Sequence, residues 1–149
     1  MVIIGIDPGF SGAWGMIDHN GKYIACGDML HDEKHVHANA IYREITNACG
    51  KEDRVCVLEF VASRPGQSAP SMFKFGMAYG AAISICERLG DWRTVTPQVW
   101  KKSFGLSKDK LESLVLARSL WPDAPLSRMK DNGRAEALLL SEWMRRELE

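Results

Sequence analysis

Four carboxylates sit where side chains can do chemistry. Asp7 closes the apolar, β-branched run Val2-Ile3-Ile4-Gly5-Ile6, and Glu59 closes a second run, Arg54-Val55-Cys56-Val57-Leu58. Asp131 and Glu136 lie at the start of the last helical pattern. A carboxylate at the tip of an internal strand is costly to bury alone, so it calls for a metal, a cation or N–H donors. Three of them also have a purely structural use. Asp7 can cap its own turn, Asp131 can be an N-cap, and Glu136 can face the positive end of a helix dipole. Two internal strands that both end on an acid weigh against those uses. Together the four could hold two Mg²⁺ ions, which want hard oxygen ligands and keep several waters. Two such ions about 4 Å apart can activate a water and stabilise the leaving oxygen of a phosphodiester. Without metal, converging carboxylates repel each other.

The elements that must position these acids follow from periodicity. After Asp7, Pro8-Gly9 breaks the chain, and Gly12 to Ile17 reads as a strand returning beside the first. Asn20-Gly21 is a hairpin signal, and Gly21 to Cys26 is a third antiparallel strand. His31, His35 and His37 fall in a segment read as a polar loop rather than a metal site. Ala38 to Cys49 carries Ile41, Ile45 and Ala48 at helical spacing, and Gly50 ends it. Phe60 to Pro70 is a Gly/Pro/Ser loop. Ser71 to Leu89 is a long helix, and Trp92 to Val95 a short strand. Thr96-Pro97 opens the next segment with a cap and a proline at the first helical position. Ser107 to Leu120 is expected as a helix capped by Ser107, with Leu111, Leu114, Val115 and Ala117 inward. Asp131 to Leu148 is the last helix, with Ala137, Leu140, Met144 and Leu148 on its stripe. A meander followed by alternating strands and helices predicts an α/β fold: a five-stranded mixed sheet, three strands antiparallel and then parallel strands, flanked by helices.

The 149 residues, 46% hydrophobic and 26% charged, suit one domain with a real core. No apolar run approaches the roughly 18 residues of a membrane span, and the chain opens on a strand rather than a secretory signal. Cys26, Cys49, Cys56 and Cys86 form no C-x-x-C pair. That argues against zinc and disulfides and for a reducing, cytoplasmic setting. Net charge is zero, but its distribution is uneven. Phe60 to Cys86 has no acid, and Arg93 to Lys110 carries five bases against Asp109. Asp18 to Asp53 holds seven acids against four bases. One side is therefore expected to be basic and the other acidic.

Ile-Gly-Ile-Asp-Pro-Gly-Phe-Ser-Gly at 4–12, the strand ending at Glu59, and Gly-Arg-Ala-Glu-Ala-Leu-Leu-Leu at 133–140 resemble the RuvC-type Holliday junction resolvases. Arg-Pro-Gly-Gln at 64–67 and Phe-Gly-Met-Ala-Tyr-Gly at 75–80 bring the resemblance closest to phage-encoded members. It runs over essentially the whole chain. It implies a single RNase H-like nuclease domain over 1–149, a homodimer, and paired Mg²⁺-dependent nicks across four-way DNA junctions, with Mn²⁺ able to substitute. The ends left would be a 5′-phosphate and a 3′-hydroxyl. No membrane and no small-molecule cofactor enter. By position, Asp7, Glu59 and Glu136 resemble the family's metal ligands. Family members usually carry two acids one turn apart on the last helix; here Asn132 stands one turn before Glu136, with Asp131 beside it. The fourth ligand is then either Asp131, reaching in from the cap, or Asn132. The segment from Thr96 to Lys110 is similar to the family's basic DNA-contacting stretch, which makes Lys102, Lys108 and Lys110 candidates for phosphate contacts. Arg64, Gln67, Phe73 and Lys74 are further DNA-binding candidates, since the usual stacking aromatic after the second acid is Ala62 here. Two other readings stand beside this one: a junction-binding protein that does not cut, because of Asn132, and an actin-like nucleotide-binding protein, because of the opening motif.

Overall fold

The computed structural model describes residues 1–149. Three strands, β1 (Val2–Asp7), β2 (Ala13–Asp18) and β3 (Tyr23–Asp28), form an antiparallel meander. Helix α1 (Ala38–Cys49) leads into β4 (Arg54–Glu59), and α2 (Ala69–Leu89) into β5 (Asp91–Val95). Both β4 and β5 run parallel to β1, giving the sheet order β3-β2-β1-β4-β5. Three helices follow: α3 (Pro97–Ser103), α4 (Lys110–Leu120) and α5 (Asn132–Glu147), the last entered through a 3₁₀ turn at Met129–Asp131. This is the mixed five-stranded sheet, flanked by helices, that the sequence predicts.

Central β1 is buried on both faces, so two cores form. Ile4, Ile6, Ile41, Ile45, Leu58 and Ile85 pack α1 and α2 against one face. Ile3, Val57, Trp100, Leu114, Leu138 and Trp143 pack α3, α4 and α5 against the other. Helix α5 comes unusually close to the sheet. A Cβ at Gly5 would lie 2.1 Å from the Ala137 carbonyl oxygen, and one at Gly15 would lie 2.7 Å from the Leu138 nitrogen. Bare backbone at these two positions lets α5 lie directly across β1 and β2.

Several expected boundaries shift. Ser68 caps α2 by accepting from Ser71 N–H, so the helix starts at Ala69 rather than Ser71. Asp109, not Ser107, caps α4, because its carboxylate accepts from Leu111 N–H. The inward face of α4 is Ser113, Leu114 and Ala117, while Leu111 and Val115 are exposed. In α5, Ala137, Leu140 and Met144 are buried as expected, but Leu148 lies past the helix end and is exposed. No helix is long and apolar enough to cross a membrane.

Candidate metal centre

Strands β1 and β4 are parallel neighbours with Ile6 opposite Leu58, so the next residues, Asp7 and Glu59, emerge together at one sheet edge. The tight crossing of α5 over Gly5 and Gly15 carries Glu136, in its second turn, to the same edge. Ligand oxygens of Asp7, Glu59 and Glu136 all lie within 4.8 Å of one another. Glu59 and Glu136 are buried, and Asp7 is half-buried.

Two helices that face this edge supply counter-charge. Lys101 of α3 donates from Nζ to Glu136 Oε1 at 2.7 Å, with only 14% of its side chain exposed. Ser113 of α4 donates to the same oxygen at 3.2 Å. The Trp100 indole N–H lies beside Glu59, near enough to favour the charged carboxylate but outside a formed hydrogen bond. The balance still opposes ionisation. Burial, then the Glu136 charge, pushes Glu59 up from 4.5 to about 7, and Lys101 only partly offsets this. Burial and the charges of Glu59 and Glu136 also raise Asp7 well above the carboxylate range, against the pull of Lys110 and Lys101. Three hard oxygen donors gathered side by side, with Asp7 and Glu59 held from ionising, are the donor set a small divalent cation fits. The fit is chemical: a cation replaces the protons the cluster would otherwise hold.

Asp131 takes no place in this cluster. Its carboxylate accepts from Arg128 N–H at 2.8 Å and from both the Nε and Nη2 of the Arg128 guanidinium, the shorter bond being 2.6 Å. Burial works to raise this carboxyl, but the hydrogen bonds and charge of Arg128 outweigh it and hold it below its ordinary value. The fourth carboxylate is therefore withdrawn from the ligand set, because an arginine three residues earlier satisfies it. Asn132 opens α5, half-buried, one turn before Glu136 and so on the same helix face.

Among the nucleic-acid candidates, Arg64, Lys102, Lys108 and Lys110 are exposed, on loops and helix ends. Lys110 is near enough for its charge to act on Asp7. Phe73 is 71% exposed on α2. Lys74 places Nζ 4.4 Å above the Phe10 ring, and Phe10 meets His31 edge to face. Gln67 is half-buried and turns its Oε1 to the Arg64 N–H. His31, His35 and His37 form no ligand cluster; Asp32 instead ties the loop together through Lys34 N–H, His35 N–H and His37 Nε2.

Lys101, Ser113 and Trp100 were not singled out from sequence. Trp100-Lys101-Lys102 falls in a seven-residue helix too short to show which lysine turns inward. Ser113 reads as an ordinary helix residue. Its only signal is that it lies beside Leu114, on the face α4 buries.

No protein-family model matches the chain, and no curated protein sequence does. Solved structures do. Thermus thermophilus RuvC in complex with a Holliday junction substrate aligns with a TM-score of 0.68 at 16% identity. A second Thermus thermophilus RuvC structure gives the same TM-score at 20% identity. Each alignment covers 99% of this chain and 96% of the other. From end to end, then, the chain shares the fold of these RuvC structures, with three acids gathered at the edge where β1 and β4 finish.

Proposed function

We propose that the protein is a divalent-metal-dependent, structure-selective endodeoxyribonuclease. It resolves four-way DNA junctions by paired symmetric nicks that leave 5′-phosphate and 3′-hydroxyl ends. The observation that carries this reading is the convergence of Asp7, Glu59 and Glu136 on one sheet edge, in a fold shared with a protein solved on a Holliday junction. The Arg64–Gln67 loop and the Phe75–Gly80 segment support kinship with phage-encoded members.

Asp7, Glu59 and Glu136 would hold the cation, Mg²⁺ or Mn²⁺, with Asn132 on the same face as Glu136. Bound there, divalent metal supplies Lewis-acid activation of a water and neutralises charge on the scissile phosphate. The chain's own groups do the rest. Lys101 and Lys110 set the potential of the acid cluster. Lys102, Lys108, Lys110 and Arg64 take backbone phosphates, so affinity is salt-sensitive and driven by DNA shape. Phe73, Met77 and Gly80 repeat at helical spacing as an exposed strip on α2, which supports a homodimer able to place two clusters on one junction. No side chain serves as a covalent nucleophile.

The test is a labelled synthetic four-way junction beside matched linear duplex, with Mg²⁺ and with EDTA. Symmetric nicks on the junction alone, lost in EDTA, are expected. Cleavage of linear duplex at the same rate would refute junction selectivity. Tight binding without nicking would favour the non-cutting reading that Asn132 raises. In that case Asn132→Asp should gain cleavage, and no gain would count against Asn132 as a replaced acid.

A further inference from the structure

The sheet has two outer strands, and one of them is left open. Strand β5 carries the charged Asp91 and Arg93 along its length, and charge guards an edge against pairing. Strand β3 has neither charge nor proline from Tyr23 to Gly27. Its inner side is spent on β2. Met29 N–H donates to the Gly12 carbonyl at 3.0 Å, and Trp14 stands opposite Gly27 in the same antiparallel register. Hydrogen-bonded pairs alternate along such a ladder. Gly27 and Met29 therefore turn their N–H and C=O groups to β2, and Cys26 and Asp28 turn theirs out of the sheet. Neither residue makes a main-chain hydrogen bond outside the strands. The Tyr23 hydroxyl lies near the Cys26 N–H without bonding to it. A bulge between Met16 and Ile17 disturbs the ladder at Ile24, so the regular free edge runs from Ala25 to Asp28.

That edge forms the floor of a cleft. Cys26, Gly27 and Asp28 line it in succession, between Glu44, Asn47 and Ala48 of α1 on one side and Arg134 of α5 on the other. Consecutive strand residues point to opposite faces, so a cleft touching all three follows the strand's edge rather than either face. The Trp14 indole lies beneath Gly27, where a Cβ would come within 2.7 Å of Nε1; it also lines the cleft, and its N–H has no acceptor. The two walls differ in charge. On the α1 side Glu44 is an exposed carboxylate outside every salt bridge of the chain. On the α5 side Arg134 is already held by both oxygens of Asp28, at 2.7 and 2.9 Å. The segment from Asp18 to Asp53, which supplies β3 and α1, has seven acids against four bases.

We propose that the free edge of β3 takes an extended strand from a partner protein, one that alternates basic and aliphatic residues. Main-chain pairing to Cys26 and Asp28 supplies affinity, and alternate side chains supply specificity. Those turned to the α1 side meet Glu44 and are basic. Those turned to the α5 side meet Cys26 and the closed Asp28–Arg134 pair and are uncharged. The acidic excess disfavours a nucleic acid here, and equally a second copy of β3, which would bring like charge to like charge. The inference goes beyond the nuclease reading and does not depend on it.

Amide hydrogen exchange of the full chain, followed by NMR without DNA or metal, tests the edge. The probe is a blocked hexapeptide of alternating lysine and valine. At ten times its Kd it should slow exchange of the Cys26 and Asp28 amides roughly tenfold, while the amides of β5 do not change. The same peptide N-methylated throughout keeps its charges but has no main-chain donors, and should bind at least about tenfold more weakly. Cys26→Pro removes an outward N–H on an edge strand, a place that tolerates proline, and should likewise lose peptide binding. Glu44→Lys should weaken the lysine peptide about fivefold at low salt and turn the preference to a glutamate–valine peptide. Amides that do not slow, or an N-methylated peptide that binds as well as the unmethylated one, would overturn the proposal. So would equal binding of the glutamate and lysine peptides by the parent protein. Protection of Cys26 and Asp28 that rises with the concentration of the protein alone would give the edge to a second copy. Protection by duplex DNA alone would give it to nucleic acid, and either result rules out the partner strand.

Discussion

Consider the protein stripped of divalent cations by EDTA and taken from pH 5.5 to pH 8. Glu59 titrates at about 7 in the folded chain, against 4.5 ordinarily, because burial and the Glu136 charge oppose its ionisation. Asp7 is raised by the same kinds of cause. A raised folded value means that the folded state keeps a proton the unfolded chain has already released. The resulting stability is fully present below pH 4.5 and is lost as pH rises through 7. Each unit in that window removes about 1.4 kcal/mol, so Glu59 alone accounts for about 2 kcal/mol between pH 5.5 and 8. For a chain of this length that is a fall of about 6 °C in Tm. Asp131 and Glu142 do not confuse the measurement. Arginines hold both below their ordinary values, so their contribution is lost only in more acidic solution. The assay is a thermal melt at both pH values, in EDTA and in Mg²⁺, on the parent and on Asp7→Asn. The EDTA melt should drop at pH 8, and Mg²⁺ should restore it, since a cation takes the place of the protons. Asp7→Asn should flatten the EDTA dependence by removing one of the two raised carboxyls, which also separates the cluster from the four histidines. An EDTA melt that is level or rises toward pH 8, with Asp7→Asn behaving identically, would refute the electrostatic account.

Asp7→Asn should also abolish Mg²⁺-dependent nicking while junction binding by gel shift stays within about twofold; nicking at the parental rate would mean the cluster is not the reaction centre. Lys101→Met removes the ammonium that opposes protonation of Asp7 and Glu59, so its EDTA melt should fall more steeply with pH than the parent's. An unchanged slope would make Lys101 a bystander. Gly5→Ala forces a Cβ to within 2.1 Å of the Ala137 carbonyl and should destabilise by about 3 kcal/mol, read by urea unfolding. A loss under about 0.5 kcal/mol would show that α5 can lift away from β1 without penalty. Replacing Lys102, Lys108 and Lys110 together by alanine should reduce the slope of log K for junction binding against log salt by about three; an unchanged slope would move the phosphate contacts elsewhere.

Much of the fold was legible because its signals are local and redundant. The runs ending at Asp7 and Glu59 are apolar on both faces, which marks central strands, and Asn20-Gly21 marks the hairpin between β2 and β3. Cap competition was less legible. Ser107 and Asp109 both suit an N-cap, and only the packed helix shows that Asp109 reaches Leu111 N–H. On α4, apolar spacing favours Leu111 and Val115 as inward residues, which hid the polar Ser113. The same kind of competition decides Asp131. The resemblance offers it as a fourth ligand reaching in from the cap, but Arg128, three residues away, makes a bidentate pair with it. Sequence periodicity shows which residues share an element, not which long cation folds back onto an acid.

The centre's charge balance follows from what surrounds the acids. Asp7, Glu59 and Glu136 bring three potential negative charges to one edge, and Lys101 and Lys110 bring two positive charges within reach of them. The lysines do not balance the acids, since Asp7 and Glu59 still hold raised values. Closer pairing by both lysines would have made a self-satisfied ion network, stable and inert. With Asp131 added there would be a fourth acid to neutralise. Arg128 takes that acid out of the balance, and Lys101 bonds directly to only one of the three carboxylates. What remains is a cluster of three acids still short of positive charge. That deficit is what a divalent ion is suited to balance.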